Sequence, residues 1–200
     1  MKLGAVVLAA GLSRRMGREK VLLRFGDQTV LEHVLSTLVA AGVAEIVAVV
    51  RSDLPQAAEI ARRIGTRVVV NTNPQEEMLL SIRMGIAELS PDVDAFFIWP
   101  ADHPAVAGET LTELMRAAGR PRVVLPVHAG RRGHPALVGA DLVADIVAIP
   151  PGEGLRHLWR VRPEVLVEVP VDDSGVLIDL NTPDDYEKWT GRRGDGATGR

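Results

Sequence analysis

The chain of 200 residues fits one domain of ordinary size, and its 46% hydrophobic and 24% charged residues are typical of a globular protein rather than a disordered one. A net charge of −3 disfavours a protein that coats nucleic acid or binds membrane surfaces, so we expect neither partner. The absence of cysteine excludes disulfides, zinc–thiolate sites, iron–sulfur clusters and a cysteine nucleophile.

Strand-like and helix-like segments alternate along the chain. Short apolar runs predict strands over Leu3–Ala9, Glu45–Val50, Arg67–Val70, Asp94–Trp99, Arg122–Pro126, Leu166–Val169 and Val176–Leu180. Apolar residues at helical spacing predict helices over Thr29–Gly42, Pro55–Ile64, Met78–Leu89, Thr110–Ala118, Asp141–Ile149 and Gly154–Val161, and a closing helix after Thr182. Capping boxes, in which a Thr precedes a Glu by three residues, are expected at Thr29 and Thr110.

This alternation with short connections predicts an α/β fold, a three-layer Rossmann-like arrangement with a mostly parallel sheet and helices on both faces. We expect a single domain over residues 1–190 and a disordered tail over residues 191–200, which are rich in Gly and Arg. No apolar run reaches the ~18 residues of a membrane span. Charged residues interrupt the apolar N-terminus at Arg14, which disfavours a signal peptide, so we expect a cytoplasmic protein.

Residues 8–20, which follow the first predicted strand, read LAAGLSRRMGREK. The small residues let backbone amides approach a ligand closely, and consecutive N–H groups form an anion-binding concavity. Arg15 and Lys20 add two cations, so the segment predicts a polyphosphate site. The spacing excludes both a P-loop and the GxGxxG dinucleotide motif. A solvated surface loop is the alternative, although Lys20 is one of only three lysines beside twenty arginines.

The same segment resembles the signature L-A-A/G-G-x-S-x-R-M-G-x-x-K of the MobA-like nucleotidyltransferases, and within them it is most similar to the molybdenum cofactor cytidylyltransferases. The resemblance covers roughly residues 1–190. In that family the sequence Ala-Ala-Gly goes with cytidine nucleotides, whereas Gly at the position of Ala10 goes with guanine nucleotides. The resemblance therefore implies CTP as substrate. It implies these nucleotide-binding residues in the loop: Leu8, Ala9, Ala10, Gly11, Ser13, Arg15 and Lys20.

Acidic residues lie at or just after the ends of two other predicted strands. A carboxylate such as Asp102 at the end of a strand, beside a phosphate-binding loop, is suited to bind Mg²⁺, although an Asp in this position also forms turns. The resemblance implies that Asp102 binds the metal and the nucleotide, while this chain has Ala101 and His103 where the family has Gly and Gln or Met. It also implies Asp179 as a second metal ligand. Asp179 and Asn181 point to one side of an extended segment, which leaves open which of them reaches the metal.

The resemblance places further candidate binding residues beside the base of the nucleotide and beside the acceptor molecule. Asn71 and Ser81 resemble the nucleotide-binding ends of the family's base-side loop, with Glu77 at the family's Gly position, although Ser81 also suits a packed helix face. His134 in RRGHP resembles an acceptor-side residue that contacts a phosphate or a pterin, and orienting its own loop is the alternative role. Arg156 is a weaker acceptor-side candidate for binding an anion.

Together these features imply a Mg²⁺-dependent nucleotidyltransferase that transfers CMP from CTP to the phosphate of molybdopterin or the molybdenum cofactor and releases pyrophosphate. Lys20, Arg15 and Asp102 are the implied catalytic residues, with Arg15 on the departing pyrophosphate. Handover of the product to a molybdoenzyme or its chaperone also follows from the resemblance. The alternatives are a guanylyltransferase on the same cofactor, a transferase for a sugar or polyol phosphate, and a nucleotide-binding regulatory or cofactor-chaperone module without turnover.

Overall fold

The computed structural model describes residues 1–13, 16–73, 78–119 and 122–194. Within them, the strands are β1 (Leu3–Ala9), β2 (Arg24–Phe25), β3 (Gln28–Thr29), β4 (Glu45–Arg51), β5 (Arg67–Asn71), β6 (Ala95–Pro100), β7 (Val123–His128), β8 (Arg131–Arg132), β9 (Ala136–Gly139) and β10 (Leu166–Pro170). The α-helices are α1 (Val30–Ala40), α2 (Pro55–Arg63), α3 (Met78–Ala87), α4 (Gly108–Ala117), α5 (Val143–Val147), α6 (Arg156–Val161) and α7 (Pro183–Gly194). Short 3₁₀ turns lie at Lys20–Leu22, Ala140–Leu142, Pro163–Val165 and Ser174–Leu177.

The main sheet has the strand order β10-β7-β9-β6-β1-β4-β5, with β8 paired to β7. The pairs β1–β4, β1–β6, β4–β5 and β7–β10 are parallel, whereas β9 is antiparallel to both of its neighbours. The predicted mostly parallel sheet is therefore confirmed. Sequence analysis missed β9 because four apolar residues carry no clear period, and this strand depends on pairing with β6 and β7.

Side chains of β1 alternate between the two faces of the sheet and show why helices cover both. Val7 packs in the cluster that contains buried residues of α1, α2 and α4, whereas Val6 and Leu8 pack in the cluster that contains buried residues of α3, α5 and α6. A strand buried on both faces reads as a continuous apolar run, which is the pattern observed. The predicted three-layer arrangement is confirmed.

The predicted strand over Val176–Leu180 is wrong. Ser174–Leu177 forms a 3₁₀ turn instead, and the chain continues without regular structure to α7. The Asp173 carboxylate organises the turn by accepting hydrogen bonds from the backbone N–H of Gly175 (2.8 Å) and Ala107 (2.9 Å). The Gly175 contact is local and the Ala107 contact is tertiary, and together they override the preference of an apolar segment for strand.

Helix starts were predicted with mixed success. The Thr29 capping box is confirmed, because its hydroxyl accepts from the Glu32 N–H and the Glu32 carboxylate accepts from the Thr29 N–H. The second predicted box is wrong: α4 begins at Gly108, and the Thr110 hydroxyl donates to Asp173 at 2.7 Å rather than capping a helix.

The C-terminal part of the chain also departs from prediction. The helix predicted over Asp141–Ile149 is a 3₁₀ turn followed by the shorter α5. The closing helix α7 extends to Gly194, into the segment expected as a tail, and residues 195–200 lie outside those described. Across the described residues, none of the helices combines the length and the apolar character needed to cross a membrane.

Gly85 lets α3 lie close against the sheet. A Cβ at this position would overlap Val6 and lie 3.0 Å from Val49 Cγ2. We therefore expect Gly85→Ala to lower the free energy of unfolding by about 1–3 kcal/mol, although alanine is the better helix former. Gly108→Ala is the matched control, because open space surrounds that Cβ position, and its stability should stay unchanged or rise by up to ~1 kcal/mol. Urea denaturation of both variants checks the difference, and equal stabilities would contradict the close packing.

Candidate active site

One edge of the sheet carries the candidate site. Strands β1, β4, β5 and β6 run in parallel, so their C-terminal ends lie at the same edge. Because β9 is antiparallel between β6 and β7, the loop before β9 reaches this edge too, and β10 ends there beside β7. The strand ends that precede the predicted ligand-binding loops therefore lie at one edge, which is where open α/β sheets bind ligands.

Lys20 lies at the centre of this edge. Its Nζ donates to Asp102 Oδ2 at 2.8 Å and to Asn181 Oδ1 at 3.0 Å. The Lys20 side chain is 12% exposed and that of Asp102 27%, so the ion pair is partly removed from water. Backbone contact supports the pair, because the Leu180 N–H donates to the Asp102 carbonyl at 2.9 Å. Three loops that are distant in sequence are thus joined around one ammonium group.

Asn181 connects this ion pair to a second carboxylate. Its side-chain amide donates to Asp179 while its oxygen accepts from Lys20. Asp102 and Asp179 therefore lie on opposite sides of a bridge formed by Lys20 and Asn181. The structure brings together both acidic residues that the sequence singled out as metal ligands.

Two histidines pack beside Asp102. The ring centroids of His103 and His134 are 4.4 Å apart, and His103 Nε2 lies 3.9 Å from Asp102 Oδ1. Burial lowers the pKa of His103, against the opposing influence of the Asp102 and Asp179 charges. Burial, reinforced by His103, lowers the pKa of His134 to about 4. Near neutral pH the pair is therefore uncharged.

The loop after β1 approaches this centre through several contacts. The Lys20 N–H donates to Ser13 Oγ at 3.2 Å, and Ser13 adopts a φ of 47°, in the left-handed region. Met16 is buried against Phe25 and Leu180, which anchors the loop between the β2–β3 hairpin and the segment before α7. Arg15, predicted to hold the pyrophosphate, lies outside the described residues.

Arg51, a residue that sequence analysis missed, ends β4 at the same edge. It is only 5% exposed, and its guanidinium donates to the Gly11 carbonyl at 3.0 Å, to Glu19 at 2.7 Å and to Asp53 at 2.8 Å. The opposing influence of these carboxylates outweighs burial and raises the pKa of Arg51. The available sequence signal for this residue was an arginine placed directly after the apolar run of the predicted strand Glu45–Val50.

Asn71 and Ser81 meet at the side of the site expected for the base. The Asn71 amide donates to Ser81 Oγ at 3.0 Å, and Asn71 Oδ1 accepts from the Asn73 N–H at 2.7 Å. Both side chains are buried, and their hydrogen bond joins the two ends of the connection between β5 and α3. Glu77, at the family's Gly position, lies outside the described residues.

The predicted acceptor-side residues separate in the structure. His134 contacts His103 and so reaches the site, and its backbone N–H donates to the Val176 carbonyl at 2.9 Å. Arg156 is exposed at the first position of α6. No hydrogen bond or ion pair connects it to another predicted site residue in the described part of the chain.

The donor set at the centre suits a hard divalent cation. Among the described residues, no three or more His, Asp or Glu side chains form a metal-binding group. Asp102 and Asp179 supply two carboxylates, and Asn181 holds an amide oxygen between them. Mg²⁺ is bound through few carboxylates when waters and substrate phosphates complete its ligand shell, so these residues fit such an ion.

The sequence comparisons agree with this geometry. The model of the MobA-like NTP transferase domain matches residues 5–166, and the chain belongs to this family of nucleotidyltransferases. A molybdenum cofactor cytidylyltransferase from Escherichia coli is 22% identical over 185 residues, which cover 90% of this chain and 92% of that protein. A probable molybdenum cofactor guanylyltransferase from Bacillus mycoides is 28% identical over 132 residues, which cover 66% of this chain and 64% of that protein.

Solved structures with the same architecture include Rv0371c from Mycobacterium tuberculosis. It has a TM-score of 0.85 and 26% identity, and the alignment covers 96% of this chain and 99% of that one. A second structure of Rv0371c, in complex with manganese, has a TM-score of 0.75 and 25% identity, with coverage of 96% and 99%. These similarities agree with the fold expected from the sequence.

The hydrogen bond between Asn71 and Ser81 predicts energetic coupling. We expect Asn71→Ala and Ser81→Ala each to lower the free energy of unfolding by about 1–2 kcal/mol, because each leaves a buried polar partner unsatisfied. The double variant should lose less than the sum, since both single changes remove the same bond. Urea denaturation measures the cycle. Thr66→Val combined with Asn71→Ala is the control pair, and its losses should add.

Proposed function

We propose that this protein is a Mg²⁺-dependent nucleotidyltransferase that transfers CMP from CTP to the phosphate of molybdopterin or its molybdenum form, with release of pyrophosphate. The observation that carries the proposal is the Lys20 ammonium held between Asp102 and Asn181, next to the loop that follows β1. Family membership supports the reaction class. The name of the Escherichia coli relative supports the acceptor and the base.

The loop from Leu8 to Lys20 is the proposed nucleotide site. Gly11 is exposed, and no described atom lies within 4 Å of the position where its Cβ would be, so a ligand has room to approach the backbone. Ala9 and Ala10 are buried, which leaves their backbone groups rather than side chains for contact. Arg15 completes the proposed site on the departing pyrophosphate.

The chemistry needs alignment more than proton transfer. An oxygen of the acceptor phosphate forms a bond to the α-phosphorus, the bond from that phosphorus to the β-phosphate bridging oxygen breaks, and pyrophosphate leaves with the electron pair. The acceptor phosphate is already anionic near pH 7, so no general base is required. Catalysis then depends on positioning and on charge stabilisation. Lys20 is held in place before substrate arrives and stabilises the negative charge on the α-phosphoryl group.

Asp102 and Asp179 are the residues that would hold Mg²⁺. When bound, the cation supplies positive charge to the triphosphate. The manganese complex of Rv0371c supports a divalent ion in this fold. His103 lies beside Asp102 and His134 packs on His103, and because both are uncharged near neutral pH they leave the negative charge of Asp102 available. His134 is proposed on the acceptor side, where a neutral imidazole can hydrogen-bond to the ligand.

Guanylyl transfer to the same acceptor is the second candidate, because the Bacillus mycoides relative carries that name. Ala10 favours cytidine through the family resemblance. A thermal-shift panel of CTP, GTP, ATP and UTP with and without Mg²⁺ separates the two, since a ligand at 100 times its Kd stabilises the protein by ~2.7 kcal/mol. Selective stabilisation by GTP would overturn CTP as the proposed substrate. If none of the four nucleotides stabilises the protein, the proposed nucleotide site is overturned.

We expect Asp102→Asn to lower kcat by ~10²-fold or more, because it removes a negative charge from the proposed metal site while keeping the side-chain shape. Pyrophosphate release with CTP, Mg²⁺ and molybdopterin measures the loss. Asp145→Asn is the matched control, since Asp145 also pairs with a cation, Arg162, at 2.8 Å but lies outside the proposed site. Near-normal turnover of Asp102→Asn at saturating Mg²⁺ would remove Asp102 from the metal site.

Lys20→Met should lower kcat by ~10²-fold, the scale of losing one oriented charge in the transition state. Lys2→Met is its control, because Lys2 also contacts two carboxylates, Glu45 and Asp92, but lies before β1 at the opposite edge of the sheet. Steady-state kinetics on both variants checks the prediction. A change confined to KM would make Lys20 a binding residue only.

A further inference from the structure

Arg51 contacts both ends of the loop that follows β1. Its Nη1 donates to the Gly11 carbonyl at 3.0 Å, and its Nη2 donates to Glu19 Oε1 at 2.7 Å. Gly11 lies just beyond the end of β1, and Glu19 directly precedes Lys20. One guanidinium therefore joins the start and the end of the proposed nucleotide loop to the end of β4.

Every nitrogen of this guanidinium has a protein partner, since Nε donates to Asp53 Oδ1 at 2.8 Å. The side chain is 5% exposed, whereas those of Glu19 and Asp53 are 34% and 65% exposed. A buried arginine with all three nitrogens engaged is unsuited to bind a phosphate directly. Its geometry suits a brace, because the planar fork holds several acceptors in a fixed arrangement.

The contact with Gly11 has a directional consequence. A peptide bond is planar and trans, so the C=O of Gly11 and the N–H of Leu12 point in opposite directions. Holding the Gly11 carbonyl towards Arg51 therefore turns the next amide away from Arg51. At the other end, holding the Glu19 carboxylate limits the motion of Lys20, whose own N–H donates to Ser13 Oγ.

We propose that Arg51 is a positioning residue for the nucleotide loop: its guanidinium clamps the Gly11 carbonyl and the Glu19 carboxylate and holds the loop amides and Lys20 in their binding arrangement before the nucleotide arrives. This inference rests on the proposed function and extends it to a residue outside the loop. The clamp acts through Gly11 and Glu19, so Arg51 touches neither the substrate nor the reacting atoms.

The test uses the full chain with Arg51→Gln, and with Arg51→Lys to ask whether charge alone suffices. Amide hydrogen exchange of the peptide containing residues 8–23, without nucleotide, should become about ten-fold faster in Arg51→Gln, while exchange in α5 and α6 stays unchanged. KM for the nucleoside triphosphate should rise about ten-fold or more, with KM for the acceptor unchanged. Arg51→Lys should restore little of the slow loop exchange or of the low KM, because an ammonium group cannot reproduce the planar fork of the guanidinium.

Two controls separate this role from general stability. Arg162→Gln removes an arginine that also bridges two carboxylates, Asp145 and Glu164, away from the loop. Asp53→Asn weakens the hydrogen bond from Arg51 Nε, which does not involve the loop. Both should leave the exchange of residues 8–23 and the nucleotide KM unchanged. Loss of thermal stability in Arg51→Gln with unchanged loop exchange and unchanged KM would overturn the proposal and make Arg51 a fold residue only.

The two proposals fail in different ways. If the wild-type protein binds no nucleoside triphosphate, the proposed function is overturned, and the exchange data alone decide whether Arg51 holds the loop. If the wild type binds CTP or GTP while Arg51→Gln matches it in loop exchange and KM, the inference about Arg51 is overturned and the proposed function stands.

Discussion

The Lys20 ammonium is the interaction on which the site depends. It joins the loop after β1 to Asp102, 82 residues along the chain, and to Asn181, 161 residues along. Partial burial strengthens the pair, because water screens it less than it screens a surface ion pair. Without this cation the Asp102 carboxylate would lose its ion pair, and Asn181 would lose the hydrogen bond that joins it to Asp102 through Lys20. The same charge that orders these loops is the one proposed to stabilise the transferred phosphoryl group.

The sheet supplies the rigidity that this small centre needs. Arg51 braces the loop after β1 from the end of β4, and Asp173 braces the loop after β6 by accepting from Ala107 and Thr110. Gly175 lets the Asp173 turn approach closely, because a Cβ there would overlap the Ala105 carbonyl. Both braces are buried or half-buried charged groups with several partners, the form in which a charge removed from water is tolerated. The proposed catalytic groups on these loops are thus held by rigid strand ends.

Sequence patterns correctly predicted those strands and helix starts that are specified by residues close together in the chain. The continuous apolar run of β1 and the Thr29 capping box are both found in the structure. The Thr110 box and the Val176–Leu180 strand were both wrong, and both lie next to Asp173, whose carboxylate accepts from the Thr110 hydroxyl and from the Gly175 N–H at the start of the 3₁₀ turn. Strand β9 was missed for the converse reason, since its pairing partners lie elsewhere in the chain.

The sequence by itself determined most of the strands and helices along the chain, the family, and the types of side chain that follow the strands. It could do so because periodicity and the LAAGLSRRMGREK segment are local properties of the chain. Only the tertiary structure decided that Asn181 bridges Lys20 and Asp179, that His103 packs on His134, and that Arg51 clamps the loop. These contacts join residues from different strands, and their geometry follows from strand order and register. No spacing along one segment encodes that order.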